Sequence, residues 1–301
     1  MSVQPALSVC VINHRTPALT RDCVQSVLDT AAGLPVEVWV VNNTAEPCDL
    51  STLVVPASAR VTQLQNERRL GFAANQNQML SRATGRYLMA LNSDTVVHPE
   101  ALQELIAFMD AHPRCGIAGP RLQFGDGALQ PSLRNFPAPL PSFVEVSGLW
   151  TRVRGKPWFA SHVLLCHPHD RVVESEWLHG ACYIIRPAAM AEVGAYDDQT
   201  FDMFGEDVDW CWRMRAAGWT ILFDPAATVT HLEGATPYDA RTEAMWDGGM
   251  RFVRKHYTRL NFLPTRIATV LALCIRWVLA RNGGQRRAQG AAIRRMLAAQ
   301  P

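Results

Sequence analysis

The stretch Tyr87-Leu88-Met89-Ala90-Leu91-Asn92-Ser93-Asp94-Thr95 decides how the rest of the chain is read. A short apolar run passes directly into a polar cluster, the pattern of a buried strand whose carboxyl end opens on a polar rim. Two earlier segments end in the same way: Leu7 to Asn13 is β-rich and closes on Asn13, and Val36 to Val41 closes on Asn42-Asn43-Thr44. Between them the apolar spacing is helical, at Leu19, Cys23, Val27 and Leu28 within Pro17–Ala31, and Gly33 stops that helix. Val61 to Leu64 reads as another strand, Leu70 to Ala83 as a second helix, and Pro99 at a first helical position predicts a helix to His112. Strands alternating with helices predict an α/β fold with a mostly parallel central sheet and right-handed crossovers. Ligands of such sheets bind beyond the carboxyl ends of the strands, where the polar clusters fall.

Downstream the character changes. Gly125-Asp126-Gly127 signals a hairpin, and Pro131 to Glu174 is rich in Pro, Trp, His and Arg without sustained periodicity, which predicts a long loop or insertion over a binding face. Trp177 to Arg186 returns to strand, Pro187 starts a short helix ended by Gly194, and Glu206 to Ala217 is a helix stopped by Gly218. Trp219 to Phe223 and Ala227 to Thr230 are strand-like. The end of the chain is helical in pattern, with Gly283-Gly284 as its break.

The 301 residues are 48% hydrophobic and 19% charged, a composition that excludes disorder as a description of the whole. The net charge of +2 conceals a split: after Asp247 there are eleven Arg and Lys residues and no Asp or Glu. Two regions are therefore expected, 1–235 and a helical, basic 236–301. The eight cysteines form no CxxC pair, and no basic residue precedes Arg15, which predicts reduced thiols in a cytoplasmic protein without a signal peptide. The longest uncharged apolar run, Ile267 to Ile275, is far short of the ~20 residues that span a bilayer. Apolar residues interleaved with arginines after Asp239 instead predict either peripheral contact with an anionic membrane at the inner face of the cytoplasmic membrane, or packing on protein. The acidic first region argues against nucleic acid as a partner.

Three constellations carry chemistry. Asn92-Ser93-Asp94 at a strand tip offers oxygens to a hard divalent cation bridging phosphates, although the same triplet also makes turns and helix caps. Glu206-Asp207-Val208-Asp209 opens a helix, where carboxylates suit the helix dipole and where one of them can act as a general base; Asp209 with Arg213 reads as an i,i+4 pair. His231 follows a strand-like run and reads either as a structural histidine or as a ligand. Cys166-His167-Pro168-His169-Asp170 reads as loop, with zinc as the lesser alternative.

In order and spacing the chain resembles the inverting family 2 glycosyltransferases of GT-A fold, especially bacterial rhamnosyltransferase-like members that build surface polysaccharides. The resemblance runs from about Leu7 to Gly234. It rests on Val9–Asn13, Val40–Asn43, Asn66 with Gly71–Asn77, Leu91–Thr95, Gly119–Leu122, Asp126-Gly127, Trp177 with Gly180-Ala181, Phe204–Arg213, Ala217–Trp219 and His231 before Gly234. It implies a GT-A, Rossmann-like catalytic domain with the basic C-terminal helices appended, taking a nucleotide diphosphate sugar, dTDP-L-rhamnose first and a UDP-hexose second, to a hydroxyl of a glycan or lipid-linked glycan. Asp94, with Asn92 and His231, would hold Mg²⁺ or Mn²⁺. Asp207 would be the base, with Glu206 as the alternative. Asn13, His14, Arg15, Thr16, Asn42, Asn43, Thr44, Gly71, Phe72, Asn75 and Ser93 would surround the nucleotide, and Gly180 and Ala181 would line the cleft. Asn42 stands where many relatives have an Asp, so an amide would replace the usual carboxylate contact to the base or ribose. The competing classes are a nucleotidyltransferase, which would usually carry a glycine-rich basic loop where this chain has Asn13-His14-Arg15-Thr16, and a non-catalytic membrane-associated scaffold with the same fold.

Overall fold

The first strand, β1 (Leu7–Asn13), is buried along its length and has parallel neighbours on both sides, which is why it is an almost unbroken apolar run. The structure, a computed structural model, describes residues 4–31, 33–232 and 238–298, with 238–243 as backbone only. α1 (Pro17–Thr30) turns Cys23, Val24, Val27 and Leu28 inward. β2 (Val36–Asn42), β3 (Ala59–Gln65), α2 (Phe72–Leu80) and β4 (Tyr87–Asn92) complete a parallel half-sheet of order β3-β2-β1-β4. Asn13 is in register with Asn42, and Ile12 with Asn92, so the polar strand ends lie side by side as expected.

β5 (Thr95–Val97) follows at once, then α3 (Ala101–Ala111). α3 starts later than Pro99 predicts, because Glu100 adopts a left-handed φ of 68° that a helix cannot contain. β6 (Cys115–Gln123) and β7 (Leu129–Gln130) form the hairpin expected at Gly125-Asp126-Gly127. The span from Pro131 to Glu174 is an insertion with structure of its own. It holds β8 (Leu133–Arg134), α4 (Pro139–Ser147), α5 (Trp150–Val153), α6 (Pro157–His162) and a 3₁₀ turn at Leu164–Cys166, around a small core of Val144, Val153, Val163, Leu165 and Cys166. Helices of nine residues or fewer are too short to display a 3.6-residue period. His169 serves as a latch here. Its Nε2 accepts from the Ser132 and Leu133 N–H groups at 3.1 and 3.3 Å, and burial pushes its pKa down to about 4, keeping the acceptor nitrogen unprotonated.

β9 (Val173–Ser175), β10 (Trp177–Leu178), β11 (Cys182–Ile185), α7 (Pro187–Val193), α8 (Glu206–Ala216) and β12 (Thr220–His231) finish the sheet. β11 lies antiparallel between β4 and β6 and joins the halves, giving β3-β2-β1-β4-β11-β6-β12-β5, with β7 on β6 and β9 on β12. The longest ladders are parallel, so the mostly parallel sheet expected from sequence is the one observed. β12 is one strand where two were expected: its register against β6 shifts between Asp224 and Thr228, across Pro225, and pairing then continues. α1 and α3 cover one core, and α2, α7 and α8 another.

Three helices end the chain, α9 (Tyr238–His256), α10 (Arg259–Val278) and α11 (Gly283–Ala298). The break falls at 279–282, and the two glycines open α11 instead of separating helices. α9 is fastened to the α/β body. Asp209 of α8 is fully buried and pairs with Arg213 at 2.8 Å and with Lys255 and His256 of α9 at 2.7 Å each. Phe252 of α9 packs in one cluster with Phe201, Phe136 and Trp212. The expected boundary at 235–236, and Gly234, lie outside the described residues. Seven cysteines are buried, Cys274 is exposed, and all eight are free thiols. Among the described residues no helix is long and apolar enough to cross a membrane.

Candidate active site

The turn between β4 and β5 places Ser93 and Asp94 on the carboxyl rim of the sheet. β12 pairs antiparallel with β5, setting His231 opposite Thr95, and the Leu232 N–H donates to the Asp94 carbonyl at 2.9 Å. This pairing brings His231 Nε2 to 3.3 Å from Asp94 Oδ1. His231 Nδ1 meets Gln130 Oε1 at 3.1 Å. An amide oxygen only accepts, so Nδ1 carries the proton and Nε2 turns toward the Asp94 carboxylate. Two lone-pair atoms this close are favourable only with a proton or a cation between them. An aspartate oxygen and an imidazole oriented by a neighbouring amide therefore fit Mg²⁺ or Mn²⁺, provided phosphate oxygens and water complete the shell. Among the described residues no group of three or more His, Cys, Asp and Glu side chains could hold an ion without such help. Asn92, half-buried at the end of β4, fixes the turn through its backbone: its N–H donates to Ala181 O at 2.9 Å, and its carbonyl accepts from Thr95 Oγ1 at 2.7 Å.

The second part of the site is the start of α8. Phe204 and Gly205 both have positive φ, 64° and 90°, and the loop they form presses on α9. A Cβ on Gly248 would overlap the Phe204 carbonyl, and one on Gly205 would stand 2.7 Å from the Gly248 carbonyl, so only glycine allows this approach. The loop delivers two adjacent carboxyls into different surroundings. Glu206 is buried, and its Oε2 has no hydrogen-bond partner among the described residues. Burial, and then the charge of Asp207, pushes its pKa well above the carboxylate range. Asp207 is half-buried with Oδ1 accepting from the Val208 N–H at 2.8 Å. Burial raises it to about 6, while backbone N–H groups and Arg134 limit the rise. Of the two carboxyls, Glu206 is pushed further toward its protonated form, and Asp207 is the one that ionises more readily.

Residues 179–181 join the two parts. Ala181 holds Asn92 as above, the His179 ring centroid lies 5.5 Å from that of His231, and a Cβ on Gly180 would stand 3.0 Å from Asp207 Oδ2. The missing side chain at 180 thus leaves space beside the Asp207 carboxyl. Gln130 and His179 were not singled out in the sequence: β7 has two residues and no pattern, and the ring contact exists only because β12 returns to the rim.

The residues expected around the nucleotide divide into two groups. Asn13, Asn42, Asn43 and Asn75 are buried links. Asn42 is fully enclosed, accepts from Asn13 Nδ2 at 2.7 Å, and donates to Glu46 O at 2.9 Å and Gln65 Oε1 at 2.8 Å. Both of its N–H bonds are therefore used inside the protein, where a carboxylate would face oxygen acceptors. Asn43 ties Leu70 and Asn66, and Asn66 in turn ties Asn75. The open group is His14, Arg15, Thr16, Thr44, Gly71, Phe72 and Ser93. Thr16 Oγ1 lies 3.3 Å from Ser93 Oγ, which joins the end of β1 to the Asp94 turn, and His14 contacts the Asn43 carbonyl at 3.1 Å. Gly71 and Phe72 meet the loop that precedes α8: the Phe72 N–H donates to the Asp202 carbonyl at 2.6 Å, close enough that a side chain at Gly71 would clash.

The glycosyl transferase family 2 profile matches residues 8–178, more than half the chain. The chain is 30% identical over 149 residues to the N-acetylglucosaminyl-diphospho-decaprenol L-rhamnosyltransferase of Mycobacterium tuberculosis, a stretch covering 48% of this chain and 46% of that protein. It is 26% identical over 244 residues to the O-antigen biosynthesis protein RfbC of Myxococcus xanthus, covering 77% of this chain and 18% of that protein. The match thus spans less than half the length of either relative. Among solved structures, the mannosyltransferase PcManGT from Pyrobaculum calidifontis, in complex with GDP-Man and Mn²⁺, superposes with a TM-score of 0.57 at 15% identity over 97% of this chain and 81% of that one, a likeness of fold.

Proposed function

The chain belongs to glycosyl transferase family 2, and from that premise we propose that it transfers a sugar from a nucleotide diphosphate sugar to a hydroxyl of a glycan or lipid-linked glycan, with inversion, in surface polysaccharide synthesis. The donor is dTDP-L-rhamnose, with a UDP-hexose second, and the mycobacterial relative, whose name gives a rhamnosyl transfer to a diphospho-decaprenol sugar, supports both that donor and a lipid-linked acceptor. The observation that carries the reading is that the Asp94–His231 pair and Asp207 meet the same short segment, His179–Ala181.

In this mechanism Asp207 accepts the proton of the acceptor hydroxyl as that oxygen bonds to the anomeric carbon. The bond from that carbon to the diphosphate breaks on the opposite face, so one displacement inverts configuration and no covalent enzyme intermediate forms. Glu206 is the alternative, disfavoured because burial pushes it further toward its protonated form. Asp94 and His231 are the residues that would hold a divalent cation, which supplies charge neutralisation to the departing diphosphate. His14 to Thr16, Thr44, Gly71, Phe72 and Ser93 line the donor side, while the buried asparagines hold those segments in place. Nucleotidyl transfer and a non-catalytic scaffold both leave Asp207 without a task. In the same reading the protein works in the cytoplasm, at the inner face of the membrane that carries the acceptor, with residues 1–235 catalytic and 236–301 as the extension.

A thermal-shift screen of nucleotide diphosphate sugars with and without Mn²⁺ tests this, because a ligand that binds the native state raises its melting point by mass action. dTDP-L-rhamnose should shift the midpoint more with Mn²⁺ than without, and Asp94→Ala should lose the Mn²⁺-dependent part. No shift with any nucleotide diphosphate sugar would overturn the reading, and unchanged Mn²⁺ dependence in the variant would remove Asp94 from the site.

A further inference from the structure

α10 has two apolar faces. Phe262, Thr265, Thr269, Ala272 and Leu273 are buried on the side that meets α4 and α11. On the opposite side Leu260, Leu263, Ile267, Leu271, Ile275 and Val278 recur at intervals of three and four residues and are 43% to 81% exposed. At 1.5 Å per residue they form a stripe about 27 Å long. No charge interrupts it. Arg259 and Arg266 lie to one flank, and Arg276 reaches back to the Val146 carbonyl on the packed side. A helix that only covered the body would carry polar residues on that outer face.

Charge identifies what the stripe meets. The chain after Asp247 has eleven basic residues and no acid, and Arg281, Arg286, Arg287 and Arg294 are exposed beside α10. Trp277 is half-exposed next to the stripe, with the Arg286 guanidinium 5.9 Å from its ring centroid. A second copy presenting the same face would set like charge against like, whereas an anionic lipid surface offers opposite charge over a plane and an apolar layer beneath it. We infer that the outer face of α10 lies in the boundary between headgroups and acyl chains of an anionic bilayer, with Arg281 and the exposed arginines of α11 among the headgroups. The helix lies along the surface, since no described helix is long and apolar enough to cross. The inference rests on the proposed function only for its purpose, which is to hold the catalytic rim at a lipid-linked acceptor.

The test is flotation of the full chain with vesicles of phosphatidylcholine, alone or with phosphatidylglycerol, comparing it with Ile267→Glu/Leu271→Glu. Both positions are exposed, so the variant should keep its melting point and its shift with donor. The unaltered chain should float with the anionic vesicles and not with the neutral ones, and the variant should bind about tenfold or more weakly. Equal flotation of the two proteins, or no flotation of the unaltered chain, would overturn the inference, as would a dimer in sedimentation velocity that the variant dissolves. Failed flotation with donor binding intact counts against the membrane face alone, and flotation without binding of any nucleotide sugar counts against the proposed function alone.

Discussion

Two neighbouring carboxyls, Glu206 and Asp207, differ in burial and in hydrogen bonding, and that difference makes Asp207 the one that ionises more readily. Both folded-state values lie above those of the unfolded chain. The sign follows: the stability they contribute is fully present below the unfolded value and is lost as pH rises, for Asp207 through about 6. In the proposed mechanism transfer should show the opposite trend, because the base acts in its ionised form. A pH–rate profile of kcat/KM should therefore fall on the acid side with a midpoint near 6, and Asp207→Asn should melt higher than the unaltered chain at pH 7.5 with the difference shrinking toward pH 4. A melting difference independent of pH would contradict this. Gly180→Ala places a methyl 3.0 Å from Asp207 Oδ2 and should cut transfer strongly while shifting the melting point little, as steady-state kinetics beside a melting curve will show. At this scale the motif residues were legible because their order and spacing are specific. The environment of Asn42 was not: an amide in place of a carboxylate suggests a changed nucleotide contact, and only the register of β1, β2 and β3 shows it enclosed by Asn13 and Gln65.

At the scale of elements, the fastening of α9 to α8 shapes the site from behind. Burial works against the charge of Asp209, but hydrogen bonds from Lys255, His256 and Arg213 more than offset it and hold its pKa below the usual value. Asp209→Ala would leave Arg213, Lys255 and His256 without their shared buried carboxylate, and the loss should be about 1–3 kcal/mol in urea unfolding. The stability Asp209 contributes is present above the unfolded-state pKa and lost as pH falls through the folded one, so the gap between the proteins should narrow in acid. In the sequence Asp209 and Arg213 already explain each other as an i,i+4 pair, so nothing pointed to α9. The alternating half from Leu7 to Leu91 was legible because β1, β2 and β4 are buried apolar runs and α1 is long enough to show its period. The insertion was not, because its core is assembled from four- to nine-residue helices that α10 helps to cover.

At the scale of the molecule, β11 lies antiparallel between two parallel groups of strands, and β12 returns along β6 to the same rim. The first pairing supplies the segment beside Asp207, and the second brings His231 to Asp94. The divided charge follows the same plan: an acidic body carries the rim, and basic helices extend from it on a helix, α9, that is itself part of the body. If this arrangement is a sugar transferase, its working depends on one proton acceptor. The decisive measurement is the turnover of Asp207→Asn with a nucleotide diphosphate sugar and an acceptor, beside donor affinity by calorimetry. Turnover should fall by about 10²–10⁴-fold with donor affinity unchanged. Near-normal turnover would contradict the assignment of Asp207 as the base.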